Sequence, residues 1–296
     1  MKKNKLLHRP SVLSVGSLAI LSIYSLILIF VLIWAILFSL TDFMEDIYWG
    51  GGHYLVWPQQ MRFDNLTKVA DSIKLTIQAG AGTREVGLLE MFANSILYAV
   101  GSGFAMAAAP CLMGYITARF DFKFNKFIDA AVLLAMILPI VGSLPSTINI
   151  VYGLKLEDTF FGLWILSFGF TNMYYFIFKA SFSGIGKAYS EAAEIDGASN
   201  LTVFFQIMMP LVKTTFLSIF LIAFVRMWND YNRPLAFAPN LPTASFGLFR
   251  FLQNTRVNEP PLKMMGSMLL LIPILTFFAI FNKKLMGNLT VGGVKG

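Results

Sequence analysis

Two groups of residues carry chemistry in a chain that is otherwise apolar. The first is SEAAEIDGASNLTVFFQIMMP (190–210), with Glu191, Glu194 and Asp196 inside six positions. The second is RMWNDYNRPLAF (226–237), where Arg226, Trp228, Asn229, Asp230, Tyr231 and Asn232 interrupt an apolar run. Neither group is a catalytic centre. A metal site needs His, Cys or acidic ligands at close spacing, whereas His8 and His53 stand far apart and Cys111 is the single cysteine. No metal and no disulfide are expected. SFSGIGKAYS (181–190) contains Gly186-Lys187, but a phosphate loop requires Gly at 181 and Ser or Thr at 188, and those positions are Ser181 and Ala188. Gly101-Ser102-Gly103 lacks the rest of a dinucleotide fingerprint and lies in an apolar run, where small residues mean helix packing. No nucleophile–base pair is evident. The chain is expected to be no enzyme and to bind no cofactor of its own.

The elements that position these groups follow from composition. Of 296 residues, 56% are apolar and only 13% charged, about half the charge of a soluble domain. Charge is absent from 10–41, 91–118, 130–154, 159–178 and 264–282. About twenty apolar residues in a helix span a bilayer core of roughly 30 Å. Inside lipid the backbone must satisfy its own hydrogen bonds, which selects helices. The expected fold class is an all-α membrane protein of one domain with six spans: about 14–40, 92–118, 128–152, 159–180, 211–237 and 264–283. The basic start MKKNKLLHRP resembles that of a signal peptide, but the run behind it is too long and has no small-x-small cleavage site. A retained first span is expected. Pro110, Pro139, Pro145 and Pro273 lie in or beside spans and should kink their helices.

Six spans put both termini on one side. If that side is the cytoplasm, the inside segments hold 13 of the 23 basic residues and five of the 16 acids. This is the asymmetry that retention of Lys and Arg beside the spans produces. The net charge of +7 is then an orientation signal, and no nucleic acid is expected as a partner. Two segments, about 42–90 and 239–263, fall outside. The first carries Tyr48-Trp49, Gly50-Gly51-Gly52 and Trp57-Pro58, which suit an interfacial collar or a docking surface for an external protein.

The acidic stretch falls in the inside loop 181–210. Residues 187–196 can form a helix, with Ser190 as a cap if it starts late and Glu191 and Glu194 toward its positive end. Gly197 is the natural stop, since a left-handed residue is cheap only for glycine. Ser199 can cap a second helix carrying Leu201, Phe204, Phe205 and Met208 at helical spacing, closed by Pro210. A solvated connecting loop and a knob offered to a soluble partner both fit this helix–glycine–helix shape.

At these residues the chain resembles a known family. EAAEIDGASNLTVFFQIMMP is similar to the EAA loop of the membrane subunits of bacterial binding-protein-dependent ABC importers. The pattern falls on Glu191, Ala192, Ala193, Asp196, Gly197, Ala198, Phe204 and Pro210. FANSILYAVGSG (92–103) and ITARFDF (116–122) resemble the family's second span and its basic exit. RMWNDYNRPLAF and the tail GNLTVGGVKG (287–296) are similar to those of the carbohydrate branch, in particular the subunit type that pairs as the second maltose permease.

The resemblance implies a type I ABC importer permease fold, in the bacterial inner membrane with both termini cytoplasmic. The implied partners are a homologous permease forming a heterodimer, two ATPase subunits that hold ATP and Mg, and an extracytoplasmic solute-binding protein. It further implies that Glu191, Ala192, Ala193, Asp196, Gly197 and Ala198 form a coupling helix seated in an ATPase cleft.

For the cargo, an ionisable residue within a span is a site hypothesis in itself. Arg226 lies about fifteen residues, roughly 22 Å, into the fifth span, with Asp230 at i+4 spacing for an ion pair. A packed Arg226–Asp230 pair is one reading. The other is a substrate path lined by Arg226, Trp228, Asn229, Asp230, Tyr231, Asn232 and Asn149, whose aromatic faces and planar polar groups suit sugars. Trp164, Asn172 and Tyr174 are further candidates. The alternatives are a permease for a non-sugar solute and an ATP-independent secondary transporter, which would want intramembrane carboxylates beyond Asp129 and Asp230.

Overall fold

A computed structural model of the chain describes residues 12–55, 57–80, 82–138, 142–254 and 259–289. The basic start MKKNKLLHRP, Pro139 and all but the first three residues of the tail lie outside them. The chain divides into two compact units, Met1–Ser72 with Asn254–Leu269, and Ile73–Gln253 with Leu270–Gly296.

In the first unit, helix α1 (Val12–Ser39) is the first apolar run. Its polar exit folds on itself. Asp42 caps a π-helical turn (Phe43–Tyr48) through the amides of Met44 and Glu45. Asp46, 3% exposed, accepts from the amides of Asp42 and Gln59. Helix α2 (Asp64–Ser72) returns Asn65, whose amide group donates to the carbonyls of Ser39 and Thr41. Tyr48, Trp49, Tyr54, Leu55 and Trp57 remain exposed, as an aromatic segment at a membrane interface would be.

The second unit opens with a hairpin, β1 (Leu75–Ala79) antiparallel to β2 (Gly82–Val86). Its centre is α3 (Leu88–Arg119), whose Pro110 sits inside one continuous helix. Small residues let neighbours close on α3. A side chain at Gly101 would overlap the ring of Trp164, and one at Gly114 would meet Phe178 Cβ at 2.8 Å and the Lys179 amide nitrogen at 2.9 Å. In lipid, where apolar surface alone does not drive helices together, such close backbone approach does.

The expected spans 128–152 and 159–180 are each two helices. The first is α4 (Asn125–Ile137) and α5 (Ser143–Gly153), parted where Gly142 takes φ 82°. The second is α6 (Phe160–Ile165), capped by the Thr159 hydroxyl, and α7 (Met173–Ser183), capped by the Asn172 carboxamide. Pro145 lies in the first turn of α5, where a missing amide proton costs nothing. Helix α8 (Ala188–Ile195) follows. The next long helix starts with α9 (Asn200–Thr202), passes through a π-helical turn (Val203–Met208) and continues as α10 (Met209–Trp228). Short helices α11 (Asn232–Phe237) and α12 (Ala244–Gln253) precede α13 (Pro260–Leu289), which contains Pro273. Among the described residues four helices are long and apolar enough to cross a membrane: Leu13–Ser39, Leu88–Arg119, Asn200–Trp228 and Pro260–Ile280.

Candidate functional site

The acidic stretch forms a knob on a rigid base. Helix α8 starts earlier than a Ser190 cap would allow. Lys187 occupies the cap position, and the Ser190 hydroxyl donates to the Lys187 carbonyl at 2.9 Å. Its end is a Schellman motif: the Gly197 amide donates to Glu194 and the Ala198 amide to Ala193, with Gly197 at φ 81°. The Ser199 hydroxyl then accepts from the Thr202 amide and caps α9.

The second helix does not stop at Pro210. The π-helical turn before it shifts the register, with the Met209 amide donating to Phe204 five residues back. Such a bulge lets a proline enter a continuing helix. The arm following Gly197 is therefore the foot of a membrane-spanning helix, rather than a separate surface helix.

One face of the knob is buried. Ala193, Val203, Phe204 and Met208 pack with Tyr115, Phe178 and Phe182, and the Tyr115 and Phe204 rings lie 4.8 Å apart. Arg119 closes the base by donating to the Ile185 carbonyl at 3.0 Å. The other face is open. Tyr189, Glu191, Ala192, Glu194, Ile195, Asp196 and Gly197 are exposed, Ile195 at 86%. Tyr189 and Ile195 are the large apolar side chains on that open face.

The second group is divided by the structure. Trp228 is 2% exposed, donates to the Leu270 carbonyl at 3.3 Å and stacks on Phe92, so it is a packing residue in this conformation. Asp230 does not pair with Arg226. Its carboxylate accepts the Tyr98 hydroxyl at 2.8 Å and the amides of Asn232 and Arg233, and Arg233 Nε lies 3.8 Å away. The i+3 partner prevails because the chain turns at Asn229–Tyr231 and brings α11 back over the carboxylate. Tyr231 stacks on Phe249 at 4.1 Å between centroids. Arg226, Asn229 and Asn232 are exposed, as is Asn149 on α5. Trp164 donates to the Leu97 carbonyl and Asn172 caps α7, so both serve packing and helix ends. Tyr174 is half-buried.

Residues 111–286 match the family described as binding-protein-dependent transport system inner membrane component. The chain belongs to this family. Among its curated relatives is the arabinooligosaccharides transport system permease protein AraQ of Bacillus subtilis (strain 168), 27% identical over 81% of each chain. The maltodextrin transport system permease protein MdxG of the same organism is 28% identical over 70% of this chain and 76% of its own. The sn-glycerol-3-phosphate transport system permease protein UgpE of Pectobacterium atrosepticum is 30% identical over 57% and 60%. In fold, the chain matches a subunit of a bacterial ABC transporter that imports the acidic polysaccharide alginate, with a TM-score of 0.68 over 92% of this chain and 96% of that one at 18% identity. The fold is that of a type I importer permease, a multi-pass transport subunit of the membrane.

Sequence reading missed several residues that shape this permease. Tyr98, Arg233 and Ser167 build the polar corner around Asp230, with Arg233 Nη1 donating to the Ser167 hydroxyl at 2.9 Å. Tyr98 and Ser167 are lone polar residues without sequence neighbours to mark them, whereas Arg233 stands in the 226–237 stretch and only its pairing was not legible. Half-buried Thr215 and Ser218 line up along α10 with exposed Ile222, Arg226 and Asn229, at i+3 and i+4 steps, while Val212, Ile219, Ala223 and Met227 on the adjoining strip are buried. That pattern was readable from helical spacing.

Proposed function

We propose that this chain is the membrane subunit that forms half of the translocation path of an ATP-driven carbohydrate importer. It pairs with a homologous permease, and each permease seats its coupling helix in one of two cytoplasmic ATPase subunits. An extracytoplasmic binding protein delivers the solute. ATP and Mg are held by the ATPases, and this chain binds neither. Both termini face the cytoplasm of the bacterial inner membrane. The single observation that carries the reading is the α8 knob, packed hard on one face and open on the other, within a chain of this family.

Glu191, Ala192, Ala193, Asp196, Gly197 and Ala198 form the coupling element. Ala193 roots it in the core, the exposed Ala192 lets a partner surface approach closely, and Glu191 and Asp196 offer charged acceptors at the rim. Binding of ATP draws the two ATPases together and carries the coupling helices with them. The helices rooted beneath them then turn as rigid bodies between inward- and outward-facing states, because ATP binds one state better than the other. The carbohydrate assignment is supported by relatives that transport arabinooligosaccharides and maltodextrin. Arg226, Asn229 and Asn232, with Tyr231 and Asn149, line the path. A guanidinium within a span cannot be left facing hydrocarbon, so the open face of α10 turns toward the partner permease and the aqueous route between them.

Replacing Gly197 with Trp tests the coupling assignment. The variant transporter should lose its ATPase subunits on purification through this chain. Unchanged ATPase association and unchanged substrate-stimulated hydrolysis would refute the assignment. The sugars retained by the binding protein identify the cargo. Uptake that survives ATP depletion but collapses with an ion gradient would point to secondary transport instead.

A further inference from the structure

Asp129 is a carboxylate at the inner margin of a span that the path and the coupling surface leave unexplained. It stands on α4, a helix in which Val132 alone is buried, so apolar packing within the chain does little to fix where α4 sits or how it is rotated. Directional polar contacts do that work. Lys179 on α7 reaches both Asp129 oxygens at 2.6 Å. The hydroxyl of the fully buried Tyr175, one turn earlier on α7, lies 2.6 Å from Asp129 Oδ1 and 3.0 Å from Thr117 Oγ1 on α3. One carboxylate thus ties α4 to α7, and one phenol ties that pair to α3. The same helix ends hold the base of the coupling loop, because α7 ends at Ser183 and Arg119, two residues beyond Thr117, grips the Ile185 carbonyl.

We propose that Asp129 is a positioning residue for coupling, bracing α3, α4 and α7 into one body that moves with the coupling loop. The proposal rests on the reading of α8 as the coupling helix. Force entering at α8 is transmitted directly to α7, whose root is the packed aromatic core, but α4 follows only if the Asp129 contacts hold. An ion pair reinforced by a buried phenol holds orientation as well as distance, which a single Val132 contact cannot. Without the carboxylate, Lys179 and Tyr175 lose their shared acceptor and α4 is free to lag.

The test uses the assembled transporter, purified through this chain and carrying Cys111→Ala, with spin labels on cysteines at Lys126 on α4 and Ser183 on α7. Both positions are exposed. The distance distribution between the labels is measured without nucleotide and with ATP and Mg. In the parent chain it stays narrow and unshifted in both states. In Asp129→Asn and Lys179→Met it broadens to about twice the parent width with ATP and Mg only, as expected when one member of a moving body is untied. Asp129→Glu, and the exchange of Asp129→Lys with Lys179→Asp, restore the narrow distribution. An unchanged width in Asp129→Asn would overturn the brace, and so would equal broadening without nucleotide, the mark of a merely static contact. Loss of ATPase association in Gly197→Trp together with either of those results sinks the brace alone. Retained association in Gly197→Trp sinks the coupling reading beneath it.

Discussion

At the scale of single residues, glycines divide into those that set a backbone angle and those that set a distance. Gly197 is of the first kind, with φ 81° and nothing within 4 Å of where a Cβ would stand. Alanine there costs backbone strain of about 1–2 kcal/mol, whereas tryptophan would also project into the space proposed for the ATPase. Gly114 is of the second kind. Its Cβ would meet a backbone nitrogen, which cannot rotate away, so α3 and α7 must separate. Gly114→Val should cost about 2 kcal/mol, read as a lowered thermal midpoint of the purified chain. Gly184→Ala, with its nearest neighbour at 3.5 Å and no left-handed angle, should shift stability by less than about 0.5 kcal/mol. Equal effects from the two would refute the close-packing account of α3. Sequence showed Gly197 clearly because helix-end chemistry is local. It could not show what faces Gly114, because that contact joins positions more than sixty residues apart.

At the scale of elements, the corner between α10 and α11 is built on Asp230, and its energetics are separable. Tyr98→Phe removes one hydrogen bond to a carboxylate and should cost about 1.5 kcal/mol. Asp230→Ala removes that bond, the acceptor for the Asn232 and Arg233 amides at the start of α11 and the Arg233 ion pair together, and should cost about 3 kcal/mol or more. Thermal unfolding of the two variants checks the order; a larger loss in Tyr98→Phe would show that the corner is held elsewhere. Among the described residues each charge-free run is helical over much of its length, because inside lipid the backbone must satisfy its own hydrogen bonds. The interruptions were not legible in the sequence. Thr159, Asn172 and Gly142 stop or start helices inside runs whose hydropathy never changes, and a cap is one neutral side chain that composition averages away. The π-helical turn before Pro210 was hidden for a different reason. Proline reads as a stop by its own geometry, and the register shift that accommodates it lies in backbone hydrogen bonds with no residue signature.

At the scale of the whole molecule, the orientation proposed from the charge asymmetry can be tested at places the structure supplies. The hairpin β1–β2 precedes α3, whose other end carries Arg119 and, beyond it, the basic segment with Lys123 and Lys126. If basic residues are kept beside the cytoplasmic ends of the spans, the hairpin lies outside and the α8 knob inside. Thr83 and Ile195 are exposed reporters of the two faces. Cys111, 1% exposed, contributes no competing label once it is replaced by alanine. A membrane-impermeant maleimide applied to intact cells stripped of any outer barrier should modify a cysteine at 83 and spare one at 195. Opening the cells should reverse that protection, and ATPase subunits bound to the knob should restore it. Labelling at 195 from outside would invert the proposed topology and refute the proposed coupling role, because a cytoplasmic ATPase cannot reach a knob on the far side of the bilayer.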